Sequence, residues 1–240
     1  MSQSRPRRDA HAQSEDSRWR SLYRIGAVAA LVSVVVIPIT IVAFFIWPLW
    51  PDNILDLIQQ DWLSGLMGLD FGYLISNVFA VPFFLVLYVT LKEVDEGWAL
   101  VALALGLIGL ACLVPARPIP EMFALSDQYA AATTEAERAS YLVASEAMLT
   151  RFHGMAYHAH YVLGSASLLI SSFLMLRSTT FNRATAYVGI VTNIVVFGLY
   201  VPAVGVWISM LSVVGYLIWY VLIARKLIQL GWGGSQREAL

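Results

Sequence analysis

The 240 residues predict an all-α protein: a six-helix transmembrane bundle with a short interfacial helix and an external amphipathic helix leading into the fourth span. Three observations carry that expectation. The chain is 59% hydrophobic and only 13% charged, whereas soluble domains carry about a quarter charged residues. Its apolar residues fall in long uncharged runs of the length that crosses about 30 Å of hydrocarbon. Its Lys and Arg cluster in alternate connections between those runs.

Residues 1–21 are polar, rich in Arg and Ser, and too poor in apolar side chains to bury a core, so a mobile tail is expected. The apolar run 25–50 is longer than a signal-peptide core and ends in Trp47-Pro48-Leu49-Trp50-Pro51 instead of a small-residue cleavage site. It is therefore expected to stay, as a first span over 22–47. Arg7-Arg8 lacks the apolar residues that follow a twin-arginine pair. Pro38 is placed to kink the span, and Trp47 and Trp50 suit an interfacial belt.

Residues 52–70 hold four aspartates but set Ile54, Leu55, Ile58 and Trp62 at helical spacing, the pattern of a short helix lying on the membrane surface. The 21 uncharged residues 71–91 make the second span, with Asn77 its conspicuous polar member. A polar turn, Lys92-Glu93-Val94-Asp95-Glu96-Gly97, leads to a third span over 98–114, where Gly106 and Gly109 offer a face that a neighbouring helix can approach closely. Pro115, Pro118 and Pro120 end it, and 116–133 reads as irregular.

Thr134 and Glu137 form a capping-box pattern, and no Pro or turn pair follows before Arg177, so one unbroken helix is expected from the external segment into the fourth span, 152–176. Residues 184–224 are 41 in a row without a formal charge, about twice what one crossing needs. The bend expected at Pro202-Ala203-Val204-Gly205 divides them into spans over 184–201 and 206–224. The membrane domain thus covers 22–230, followed by a mobile tail, 231–240.

An even number of spans puts both termini on one side. That side holds 12 of the 15 Lys and Arg, and the other only Arg117, Arg138 and Arg151. By the positive-inside rule both termini are cytoplasmic, and 52–70 and 116–151 face outward. The lipid bilayer is the expected partner. No basic patch of the kind nucleic acid requires is present. The lone Cys112 excludes an internal disulfide and a thiolate metal cage, and neither a cofactor nor a metal is expected.

On a continuous fourth helix, steps of about 100° align Glu146, Thr150, His153, Tyr157, His160, Gly164, Ser167 and Ser171 on one stripe. Lipid offers such groups no partners, so the stripe should face other helices or a wet cavity. Candidate ligand-binding residues are Glu146, His153, Tyr157 and His160, with Asn77 and Asn193 at depths where they could join His160. The alternative is that these side chains tie helices together. His153 and His160 lie about 10 Å apart along the axis, too far to clasp one ion without a break near Gly154, and a metal would need carboxylates from elsewhere, with Glu121, Asp127 and Asp70 as candidates on the same side. No nucleophile elbow, Walker loop or dinucleotide fingerprint appears, and no catalytic residue is singled out.

Several ordered phrases carry a family resemblance: 130–138 (AAATTEAER), 161–165 (YVLGS), 183–190 (RATAYVGI) and 217–225 (LIWYVLIAR). They resemble the bacterial multi-pass membrane family known as domain of unknown function 4386. The resemblance implies a small polytopic bacterial membrane protein and brings no activity, cofactor or site residue. Three functional readings stay open: binding or transport of a small ligand or ion through an outward polar pocket, an intramembrane enzyme using His160 as acid/base, and a structural or regulatory subunit with a protein partner outside.

Overall fold

A computed structural model describes residues 5–47 and 53–233. The described residues form helices and no strands: α1 Arg5–Ile46, α2 Ile54–Gln60, α3 Trp62–Gly68, α4 Phe71–Val78, α5 Ala80–Leu91, α6 Glu96–Leu113, α7 Ile119–Ala131, α8 Glu135–Leu149, α9 Met155–Arg177, α10 Arg183–Val196 and α11 Gly205–Trp232. Six stretches are long and apolar enough to cross a membrane, the build of a polytopic membrane protein. Trp50, residues 1–4 of the expected N-terminal tail and residues 234–240 of the C-terminal one lie outside the described residues. α1 begins at Arg5, well ahead of the expected start at 22.

The candidate spans number six, as expected, and two of the breaks have a local cause. The second crossing is built from α4 and α5, because Pro82 has no N–H for the Val78 carbonyl one turn earlier. α10 runs through a 3-10 turn, Phe197–Tyr200, before the chain reverses into α11. The reversal sits at the predicted bend, where Ala203 takes a left-handed φ of 66°.

The chain divides into two compact units. Among the described residues the first gathers 5–34, Phe79–Ala104 and 166–233. Trp219 is its largest fully buried side chain, edge-on to Phe83 at 5.9 Å. Small residues let its backbones close in. A Cβ on Gly26 would stand 2.5 Å from Val86, and one on Gly189 would meet Ser172 Oγ and, at 2.5 Å, Trp219 Nε1. Polar groups bond across or along helices: Ser167 Oγ donates to the Ala102 carbonyl at 2.5 Å, and Arg24 Nε to the Gly231 carbonyl at 2.9 Å.

The second unit takes in Val35–Val78 and Leu105–Ser165. Here the segments between spans fold into a helical cap. Ile54, Leu55 and Ile58 do form the expected apolar helix face, but it turns onto protein: with Leu69, Ile119, Met122 and Phe152 they make a buried core to which α7 and α8 also contribute. Ser126 Oγ donates to the Leu55 carbonyl at 2.7 Å and pins α7 to α2. Residues 116–133, expected to be irregular, are mostly α7: Pro120 lies in its first turn, where a missing N–H costs nothing.

The expected continuous helix over 133–177 is interrupted. α8 starts at the predicted capping box, with both reciprocal bonds of Thr134 and Glu137 formed, and ends at Leu149. A 3-10 turn, Thr150–His153, and an extended Gly154 with ψ −176° separate it from α9. The cause is tertiary. Phe152 is drawn fully into the cap core, and its carbonyl is claimed by Arg117 at 3.3 Å.

Candidate functional site

The polar centre of the second unit is Arg117, between Pro115 and Pro118. A residue that precedes proline is driven out of the helical region, and Arg117 sits at φ −124°, ψ 76°, just after a 3-10 turn. Its side chain is turned inward and only 2% exposed. Opposite it, Asp70 follows the α3 C-terminus with a left-handed φ of 62°, a conformation that aspartate tolerates better than most residues.

Arg117 Nε and Nη2 both donate to Asp70 Oδ2, at 3.0 and 2.7 Å. Nη1 donates to the carbonyls of Ala116 and Phe152 at 3.2 and 3.3 Å. The guanidinium carbon also stands 4.8 Å from the ring centre of Phe152, 5.3 Å from that of Tyr157 and 5.7 Å from that of Tyr73. Three aromatic rings and one carboxylate thus surround one cation, each offering it negative potential. Burial pushes the Asp70 carboxyl above its ordinary value, and the attraction of Arg117 opposes that push without cancelling it.

Tyr73 links this pair to His160. Its hydroxyl lies 2.8 Å from His160 Nε2, and His160 Nδ1 lies 3.0 Å from the Gly109 carbonyl. A carbonyl only accepts, so Nδ1 carries a proton, and in the neutral ring Nε2 accepts from Tyr73. The Gly109 contact depends on the close helix approach expected from its sequence setting: a Cβ there would stand 3.1 Å from the Gly164 nitrogen. The resulting chain of contacts, Asp70 to Arg117 to Tyr73 to His160 to Gly109, joins the start of α4, the interior of α6, the turn that follows α6, and α9.

The candidate residues are placed unevenly. His160 is buried within this network, and Tyr157 forms one wall of the Arg117 cage. His153 is exposed, edge-on to Tyr157 at 6.1 Å. Glu146 is exposed on α8, and the interrupted helix removes it from the stripe it was expected to share. Asn77 donates to the Tyr73 carbonyl at 2.8 Å within its own helix. Asn193 belongs to the first unit, where it donates to the Gly189 carbonyl and accepts from Tyr216 Oη, both at 2.8 Å.

Asp70, Tyr73 and Arg117 escaped the sequence reading. Arg117 entered it only as a count toward topology, although a lone cation within Val-Pro-Ala-Arg-Pro-Ile-Pro was a usable signal. Asp70, considered as one possible carboxylate for the histidines, is paired with Arg117. Among the described residues no three His, Cys, Asp or Glu side chains gather as a metal would require.

Chemically, the arrangement can do two things. It can clamp the cap to the spans, and it can hold Tyr73 and His160 in one hydrogen-bonded line that ends on the Gly109 carbonyl, which accepts a hydrogen bond but takes up no proton. Compared with protein-family models, curated proteins and solved structures, the chain matches none.

Proposed function

We propose that this chain is a structural or regulatory subunit of a bacterial cytoplasmic membrane, with both termini inside and the helical cap outside. The Lys and Arg distribution supports the orientation, and the ordered phrases quoted above support membership in the family of domain of unknown function 4386. The observation that favours a subunit over an enzyme or carrier is that the strongest polar groups are occupied by one another. The guanidinium is engaged at Nε and both Nη atoms, and both imidazole nitrogens are engaged. A centre with its bonding capacity so committed holds a cap in place and leaves the cap's outer surface to a partner.

Stability and ligand response of the purified protein test this reading. Asp70→Asn and Arg117→Gln each strand a buried charge, at a cost of about 3–5 kcal/mol. Each should therefore lower the unfolding temperature and open the cap to limited proteolysis. Glu146→Gln, on an exposed surface, should change neither. In native membranes, a cross-linker attached at Ser140→Cys on the exposed face of α8 should give one discrete product with another protein. A small polar compound that stabilises the wild type but not His160→Gln would instead establish a ligand site. That second reading, small-ligand or proton binding, has one observation in its favour, the Tyr73 hydroxyl on His160.

A further inference from the structure

The first unit holds a pocket of about 410 Å³ that the Arg117 centre does not involve. It lies where several crossings end: Tyr23 near the start of the first span, Val89 and Thr90 at the end of α5, Glu93 and Val94 in the turn that follows, Arg177 at the end of α9, Ser178, Thr179 and Thr180 in the next turn, and Leu230 near the end of α11. By the Lys and Arg count this is the cytoplasmic rim. The volume is within the range of small-ligand sites.

The lining has an unusual charge arrangement. One guanidinium, Arg177, and one carboxylate, Glu93, share the pocket without pairing with each other. Arg177 makes no ion pair among the described residues, and Glu93 has only a 3.8 Å contact with its neighbour Lys92, through a side chain that is 73% exposed. Ser178 Oγ accepts the Thr180 N–H at 3.0 Å, so its own proton remains available to an acceptor. Thr90 is already committed, donating to the Val86 and Leu87 carbonyls. Val89, Val94 and Leu230 supply apolar wall.

A ligand that satisfies all of this carries an anionic oxygen cluster for Arg177 and Ser178, a cationic N–H donor for Glu93, and an apolar portion that continues along the spans. The geometry points to the zwitterionic phosphoethanolamine group as the occupant, with phosphate on Arg177 and primary ammonium on Glu93. A purely anionic headgroup would leave Glu93 opposed by like charge. A quaternary ammonium would give Glu93 no hydrogen bond.

The test uses the full chain in phosphatidylcholine nanodiscs, titrated with phosphatidylethanolamine, with phosphatidylglycerol, or with soluble glycerophosphoethanolamine, with unfolding temperature and retained lipid by native mass spectrometry as readouts. Phosphatidylethanolamine should stabilise the wild type and be retained in preference to phosphatidylglycerol. Arg177→Gln and Glu93→Gln should each weaken that response about tenfold or more, the loss expected for one charged hydrogen bond, with unchanged stability in phosphatidylcholine alone. Saturation by soluble glycerophosphoethanolamine would support the headgroup chemistry and assign the source to the cytosol; saturation by the lipid only would assign it to the bilayer. Equal or stronger retention of phosphatidylglycerol, or a Glu93→Gln variant that binds phosphatidylethanolamine as well as wild type, would overturn the proposal.

Discussion

Arg117 illustrates how much a single side chain can organise here. Taking a guanidinium out of water costs several kcal/mol, and the cost is offset at this position by a carboxylate, two carbonyls and three ring faces. Remove any large part of that set and the remainder becomes a liability, which is why the loss of either partner should exceed the worth of an ordinary surface pair. Gly189 makes a different point at the same scale. The atoms that a Cβ would strike there, Ser172 Oγ and Trp219 Nε1, belong to buried side chains with little room to move. Gly189→Ala should therefore cost about 1–3 kcal/mol by overpacking, read as a lower unfolding temperature in detergent. An unchanged value would mean that Trp219 can shift.

Among the elements, the turn between α8 and α9 shows tertiary structure overriding local preference. Residues 133–177 contain no proline and only two glycines, Gly154 and Gly164, and a glycine is tolerated within helices at about 1 kcal/mol, as Gly164 is within α9. Burying Phe152 repays more than that. Its side chain is fully enclosed in the cap core, and its carbonyl caps Arg117. Phe152→Ala should cost about 3–5 kcal/mol through the cavity it leaves. The visible result should be selective: faster proteolysis within α7 and α8, with the α10–α11 hairpin protected. The α8 start needed no such help. Its capping box is complete within four residues, and it formed as its sequence predicts.

For the molecule as a whole, the proposed topology rests on the distribution of Lys and Arg, and it is directly measurable. Single cysteines in a Cys112→Ser background should react with a membrane-impermeant maleimide added to intact cells when placed at Ser140, on the exposed face of α8. Those placed at Thr179, beside the proposed lipid pocket, should react only after the membrane is opened. The reverse pattern would place the cap in the cytoplasm and move the pocket to the opposite rim. Both units expose apolar side chains, Leu211 69% accessible in the first and Ile39 61% in the second; such faces suit acyl chains and would be aggregation-prone in water.

What the sequence determined by itself was the part governed by short-range rules. Run lengths gave the number of spans, the Pro202 region carried the signal for the last reversal, Thr134 and Glu137 gave the α8 start, and Gly109 marked a close approach, whereas the break beside Pro82 falls in a run expected to be one unbroken span. The tertiary structure decided which groups meet. Asp70 and Arg117 are 47 residues apart in sequence, Tyr73 and His160 are 87, and no periodicity along one helix can reveal a partner on another. For the same reason the stripe drawn from Glu146 to Ser171 did not survive intact. It assumed that helix geometry alone set the register, whereas the demand to enclose Phe152 and neutralise a buried cation broke the helix and chose which of its polar residues entered the network.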